Sequence, residues 1–298
     1  MHSHTQYIHP IVRDLAWILT SPPLMADNLD HYSAFNFDRS ALENCWDWLT
    51  YLEKNPQKIT LNKSLFKKLG HYFESLLAFL FSQGWQDKVI STRLLARNIK
   101  IIKDGKTLGE LDLLLCNQHG QIIHVECAVK FYLGKTGYSQ WFDWIGPNGI
   151  DRLDLKLERL LQHQLSVKDK IDRSALENIC AQNNIGLSQI RSAYFLRGIF
   201  FYSHNRSKHL PALANPDALT APWMTKSDFI KYRFKHPQHW IAVPKLNWLS
   251  GECPVNLADT NNTQLYFPSL MSDLSNQRER IMVVPDHWLL ANSPSLKI

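Results

Sequence analysis

Residues 109–133, GELDLLLCNQHGQIIHVECAVKFYL, constrain this chain more than any other segment. Two apolar runs flank a short polar loop, and each run carries an acid in its middle: Asp112 in the first, Glu126 in the second. Side chains on a strand alternate between faces. Leu111, Leu113 and Leu115 therefore share one face, and Glu110, Asp112, Leu114 and Cys116 the other. On the second strand Val125, Cys127, Val129 and Phe131 share a face, opposite His124, Glu126, Ala128, Lys130 and Tyr132. Matching the apolar faces fixes the register, because a slip of one residue turns every side chain over. A loop of Asn117 to Gln121, centred on His119, makes paired residue numbers sum to 238. Asp112 then faces Glu126, with Cβ atoms roughly 5 Å apart. Cys116 and Cys127 fall on opposite faces and do not form a disulfide with each other.

Like charges directly opposite one another are destabilising, more so when partly buried. A shared proton, a basic neighbour or a divalent cation offsets the repulsion. Mg²⁺ suits this task, since it favours oxygen ligands and takes one or two carboxylates. The alternative is a solvated outer face on which Glu110, Asp112 and Lys130 form weak surface pairs. A bulge or a four-residue loop also removes the opposition.

A third acid lies upstream. LFKKLGHYFESLLAFLFSQG, 65–84, reads as a buried helix stopped by Gly84, apolar nearly all round from Tyr72 to Phe81. Glu74 is the only charge in that stretch, with Gly70 and Ala78 one turn to either side. A buried carboxylate is costly without a partner. Glu74 either reaches a solvent gap, pairs with His71, or points at the acidic face of the hairpin.

The rest of the chain sets these elements in order. Helices are expected at 10–20 and 40–54, the second with a capping box of Ser40 and Glu43. Strands are expected at 92–102, 108–116 and 122–133, helices at about 150–167 and 173–182, and a β-rich run at 190–203. The reading is three segments: N-terminal helices over 1–60, an α/β core over 61–203, and a loop-rich elaboration over 204–298. Nine prolines from Pro211 to Pro294 break the last segment into short apolar pieces. VPKLNWL at 243–249 and VPDHWLL at 284–290 echo one another, too few copies for a repeat array.

Composition excludes several classes. With 45% hydrophobic and 20% charged residues the chain is globular rather than disordered. The net charge of +6 permits a polyanionic partner without demanding one. Five cysteines, odd in number and without a CxxC pair, argue against a disulfide framework or zinc ribbon and fit a reducing cytoplasm. The first residues make a poor signal peptide, and no window is apolar enough for a membrane span. His236 and His239, in HPQH, are split by proline and make no helical zinc pair.

A helix-borne Glu, then GELD on one strand, E…K on the next, then a helix and a strand, resembles the PD-(D/E)XK nuclease superfamily. Residues 66–170 resemble, more narrowly, an uncharacterised bacterial family within it. The resemblance implies a restriction-endonuclease-like αβββαβ core, a mixed sheet flanked by helices, that binds Mg²⁺ or Mn²⁺ and hydrolyses phosphodiesters. It assigns Glu74, Asp112 and Glu126 as metal ligands, with the carbonyl of Cys127, and Lys130 as the catalytic lysine beside Asp112 and Glu126. The superfamily pattern places lysine two residues after the strand acid. Here Ala128 stands there, and Lys130 lies two residues, about 6.6 Å, further along the strand than that position. Lys130 either reaches back or pairs with Glu110 in a weakened or inactive nuclease, leaving a nucleic-acid-binding or protein-interaction module.

In IDRLDLKLERLLQHQL the core stripe is Leu153, Leu157, Leu160 and Leu161, with Gln164 at its end. Gln164 is either a core-edge amide or the glutamine that the superfamily often carries on this helix. Arg152, Lys156, Arg159 and His163 form a second stripe, which either tracks a phosphate backbone or is a solvated face. Arg197, in AYFLRGIFF, is either a strand-end residue or a phosphate ligand.

Overall fold

The computed structural model describes residues 3–37, 39–103, 105–135, 140–166, 168, 171–186, 189–236, 240–251, 267–273 and 279–288. Its elements in chain order are α1 (Pro10–Thr20), β1 (Asn28–Leu29), β2 (Tyr32–Ala34), α2 (Arg39–Lys54), α3 (Leu69–Gln86), β3 (Arg93–Lys103), β4 (Lys106–Cys116), β5 (Ile122–Gly134), β6 (Trp144–Ile145), α4 (Leu153–Arg159), α5 (Arg173–Gln182), β7 (Ile190–Ser203), β8 (Thr220–Thr225), α6 (Lys226–Lys235), β9 (Trp240–Val243), β10 (Ser269–Asp273) and β11 (Arg280–Val284). The class is α/β, with a mixed sheet flanked by helices. Among the described residues no helix is long and apolar enough to cross a membrane.

The chain packs as two compact units. The first comprises Met1–Val129 and Leu157–Arg197, the second Lys130–Lys156 and Gly198–Ile298. In the first unit β3, β4 and β5 form an antiparallel meander, and β2 runs parallel to β7 through Ser33–Ala193 and Ala34–Tyr194. The helix α3 packs on β3 and β4, and α5 packs on β3. Leu114, Ile122, Leu176, Cys180 and Ile190 make one core cluster of this unit. In the second unit the strand order is β7-β8-β11-β10-β9. Its pairings are parallel from β7 to β11 and antiparallel beyond. Met224, Phe229, Trp240, Met271, Ile281 and Val283 form its core.

The hairpin register is the expected one. Leu113 pairs with Val125, Leu114 with His124, Leu115 with Ile123 and Cys116 with Ile122, each sum being 238. The apolar alternation and the loop Asn117–Gln121 settle it together. Cys45, Cys116, Cys127 and Cys180 are buried thiols. Cys253, His239 and the side chain of Ser40 lie outside the described residues.

Two helices depart from expectation. Gly84 does not stop α3, which runs on to Gln86. A Cβ at Gly84 would meet Ile90 at 3.5 Å, ordinary contact, so this glycine is packed in the helix rather than capping it. The helix also starts late, because Lys63–Leu65 forms a separate 3₁₀ turn capped by Asn62. After Arg159 the chain widens into a π-helical turn, Leu160–Gln164, closed by Leu165 N–H to the Leu160 carbonyl at 3.0 Å. The extra residue moves the core stripe: Leu153, Leu157, Leu160 and Leu165 are buried, and Leu161 is only partly so.

Candidate functional site: carboxylates on the hairpin and helix α3

Asp112 and Glu126 lie on adjacent strands whose pairing ends one step short of them, at Leu113–Val125. Beyond that pair Asp112 substitutes its side chain for the ladder: its Oδ2 accepts the backbone N–H of Cys127 at 2.8 Å. This holds the Asp112 carboxylate against β5. Asp112 itself is half-buried.

Glu74 projects from α3, which packs on β3 and β4. Its carboxyl is half-buried, and its pKa is raised from 4.5 to about 7. Burial is the larger cause and the charge of Asp112 the next; Glu110 adds to both. A hydrogen bond from Asn98 and the charge of Arg97 oppose the rise. The residue beside Glu74 is therefore an acid of the hairpin, not the expected alternative, His71, which is exposed. A Cβ added to Gly70, one turn before Glu74, would meet nothing within 4 Å, so that side of the helix is open.

Asn98 escaped the sequence reading. Its Nδ2 donates to Glu110 Oε1 at 2.9 Å, and its amide also serves Glu74. It takes φ +53° in the middle of β3, a conformation that asparagine tolerates better than most residues. An asparagine inside a run of strand formers was the available signal. Glu110, expected either to pair with Lys130 or to sit as a surface charge, is bonded to Asn98 and lies opposite Lys100 in the β3–β4 register.

Glu126 is not part of a solvated face; only 3% of it is exposed. Its Oε1 accepts a hydrogen bond from Gln164 Nε2, and its Oε2 lies 3.8 Å from His124 Nε2. The π-helical turn packs on β4 and is the element that presents Gln164. Such turns recur at functional sites. His124 is fully buried, and burial, then the charge of Lys168, lowers its pKa to about 4. At neutral pH it is an uncharged neighbour of Glu126, and its Nδ1 lies 3.5 Å from Ser192 Oγ.

Lys130 belongs to the second unit, and its Nζ bonds Asp151 Oδ2 at 3.0 Å. Its backbone is fixed at Gly198, where an added Cβ would stand 1.7 Å from the Lys130 carbonyl oxygen. In the basic stripe Arg152 caps α4: its carbonyl accepts the Lys156 N–H at 3.0 Å, and its Nε is bound to Asp154 at 3.0 Å. Lys156 and Arg159 lie in α4, and Arg159 is exposed. Arg197 is no strand-end residue: it lies inside β7, is 4% exposed, and stacks over the Phe195 ring at 3.8 Å. Burial lowers its pKa to about 10.

The donor set suits a hard cation. Burial first, and the charge of Asp112 next, raise the pKa of Glu74, and a divalent cation held by one or two carboxylates offsets both. Among the described residues no group of three or more His, Cys, Asp or Glu side chains is placed to hold one ion.

Fold and site together define an α/β protein with a pair of carboxyls where α3 packs on the hairpin. A family profile described as a domain of unknown function (DUF1853) matches residues 13–288, and the chain belongs to that family. No curated protein and no solved structure matches the chain.

Proposed function

We propose that the chain is a nuclease-like protein of the PD-(D/E)XK superfamily, acting in the cytoplasm on phosphodiester bonds of nucleic acid with Mg²⁺ or Mn²⁺. The observation that carries this reading is the Glu74–Asp112 pair, with the Glu74 pKa raised to about 7. With the two-residue β6 and helix α5 taken as insertions, the element order α3, β3, β4, β5, α4, β7 is that of the restriction-endonuclease-like core. Bound at these carboxylates, the cation would polarise a phosphate oxygen and lower the pKa of a water.

The protein's own groups have distinct tasks. Asp112 is oriented by the Cys127 N–H, which fixes the direction its carboxylate presents to a ligand. Glu74 carries a proton for part of the time at neutral pH and gives it up when positive charge arrives. Gln164 donates to Glu126 and so orients its carboxylate. Lys130, paired with Asp151, is the lysine to which this reading assigns the holding of water or of phosphate charge.

That same pairing favours a second reading: a catalytically weak or inactive module on this fold that binds nucleic acid or a protein. Ala128 occupies the usual lysine position, and the only lysine near it in sequence is engaged by Asp151. Incubation with plasmid, single-stranded DNA and RNA in Mg²⁺ or Mn²⁺, beside Asp112→Asn, decides. Cleavage lost in the variant supports the nuclease. Salt-dependent binding without cleavage supports the binding module, and salt-insensitive capture of a protein its interaction form. Equal cleavage by the variant removes Asp112 from the mechanism.

A further inference from the structure

A cavity of about 460 Å³ lies at the end of α3, lined by none of the carboxylates discussed above. Its wall includes Trp85 and Lys88 from the end of α3 and the turn after it, Ser91 and Ile90 from the following segment, Asn44 from α2, and Gln118 from the β4–β5 loop. The volume falls in the range of small-ligand clefts, roughly 300–1,000 Å³. We propose that this cavity binds a nucleobase with its attached phosphate, the base stacking on Trp85 and the phosphate meeting Lys88.

Three features carry the assignment. Trp85 is 41% exposed, unusual for so large an apolar ring at the end of a buried helix. The Arg93 guanidinium lies 5.2 Å from its ring centroid and is not part of the cavity wall, so the indole is steadied from outside the cleft. A fixed aromatic surface open to a cleft is a stacking platform for any base.

The second feature is charge. Lys88 is exposed and takes φ +59° on the turn that closes α3. The adjacent acid, Asp87, is turned away: its oxygens accept from Trp48 Nε1 at 2.8 Å and Gln83 Nε2 at 3.0 Å. Glu43, next to Asn44, pairs with Arg39 at 3.2 Å. Both of these acids thus have partners other than Lys88. The third feature is the pair of side-chain amides, Asn44 and Gln118. Each offers both a donor and an acceptor, the pattern that a base edge presents. Ile90 supplies an apolar wall for the ring.

The proposal does not depend on the carboxylates, so its assay runs in EDTA on the full chain. Calorimetry would measure binding of AMP, GMP, CMP and UMP, with adenosine and ribose 5-phosphate as half-ligands. Nucleotides are expected to bind, and Trp85→Ala to weaken them about tenfold or more, given the usual strength of base–aromatic stacking. Lys88→Gln is expected to weaken AMP and leave adenosine unchanged. Circular dichroism should show both variants folded, and Gln118→Ala, on an exposed loop, gives a second reading if Trp85→Ala is not. A 5′-phosphorylated hexanucleotide that outcompetes AMP assigns the cavity to a strand; AMP binding as tightly or better assigns it to free nucleotide. Absence of nucleotide and oligonucleotide binding, equal binding by Trp85→Ala, or ribose 5-phosphate binding as tightly as AMP overturns the proposal.

Discussion

Asp112 Oδ2 accepts the backbone N–H of Cys127 at 2.8 Å, one residue beyond the last strand pair, Leu113–Val125. A side chain has taken the place of a ladder bond. The carboxylate is thereby fixed in position, and its charge is felt by Glu74 on α3.

This bond separates the roles of Asp112. Asp112→Ala leaves the Cys127 N–H without that acceptor and should cost about 1–2 kcal/mol in urea unfolding. Asp112→Asn keeps an acceptor and should cost less, while removing the charge. Under the nuclease reading both variants lose cleavage. A cleavage loss confined to the alanine variant would make Asp112 a structural residue.

Glu74 makes stability depend on pH in a defined direction. Its pKa is about 7 in the fold against 4.5 ordinarily, so the folded chain holds more protons between those values. Stability therefore falls as pH rises from about 4.5 to 7, and is flat for this group above. Glu74→Gln should remove that slope and stabilise the protein at pH 8 by on the order of 2 kcal/mol, a figure discounted for partial exposure. Denaturant melts at pH 5 and pH 8 measure it. Mg²⁺ should narrow the gap in wild type by supplying the missing positive charge.

His124 acts with the opposite sign. Its pKa is about 4 in the fold against 6.5 ordinarily, so the unfolded chain takes up the proton first on acidification. Stability falls as pH drops from about 6.5 to 4. Between about 4.5 and 6.5 the two slopes oppose, so the wild-type profile should be flatter than that of either single variant. His124→Gln should expose the Glu74 slope, and Glu74→Gln the His124 slope. A wild-type profile steeper than both contradicts this.

Lys130 and Asp151 form a pair in which the lysine side chain is 24% and the aspartate 59% exposed. Such pairs contribute less than about 1 kcal/mol. Lys130→Met should leave the melting temperature nearly unchanged, so any loss of cleavage reads on chemistry. Asp151→Asn releases the lysine and should preserve or raise cleavage. If neither variant alters cleavage, Lys130 is not the catalytic lysine.

Two glycines should respond oppositely to alanine. Gly198 has φ +153°, and an added Cβ would lie 1.7 Å from the Lys130 carbonyl oxygen, so Gly198→Ala should cost about 3 kcal/mol or yield no folded protein. Gly70 has nothing within 4 Å of that position, and alanine is the better helix former, so Gly70→Ala should stabilise by up to about 1 kcal/mol. Thermal melts of the two variants compare them directly.

Much of the fold was legible because local signals agreed. Pro10–Thr20, Arg173–Gln182 and Ile190–Ser203 carry boundaries that match the periodicity to the residue. The hairpin register followed from alternation and loop length alone, without knowledge of any third strand. The π-helical turn was not legible. A helix of unbroken Leu spacing gives no sign that one residue will be inserted into its turn, and the packing of Leu165 in place of Leu161 decides it.

The sequence by itself determined the hairpin strands, their register and the presence of acids within them, because these depend on neighbours along the chain and one partner strand. Only the tertiary structure decided what each acid meets: Asn98 beside Glu74 and Glu110, Gln164 and His124 beside Glu126, Asp151 beside Lys130. Desolvation and Coulomb interactions act through space, so a carboxyl's protonation and its partners are set by whatever packs against it, however distant in sequence.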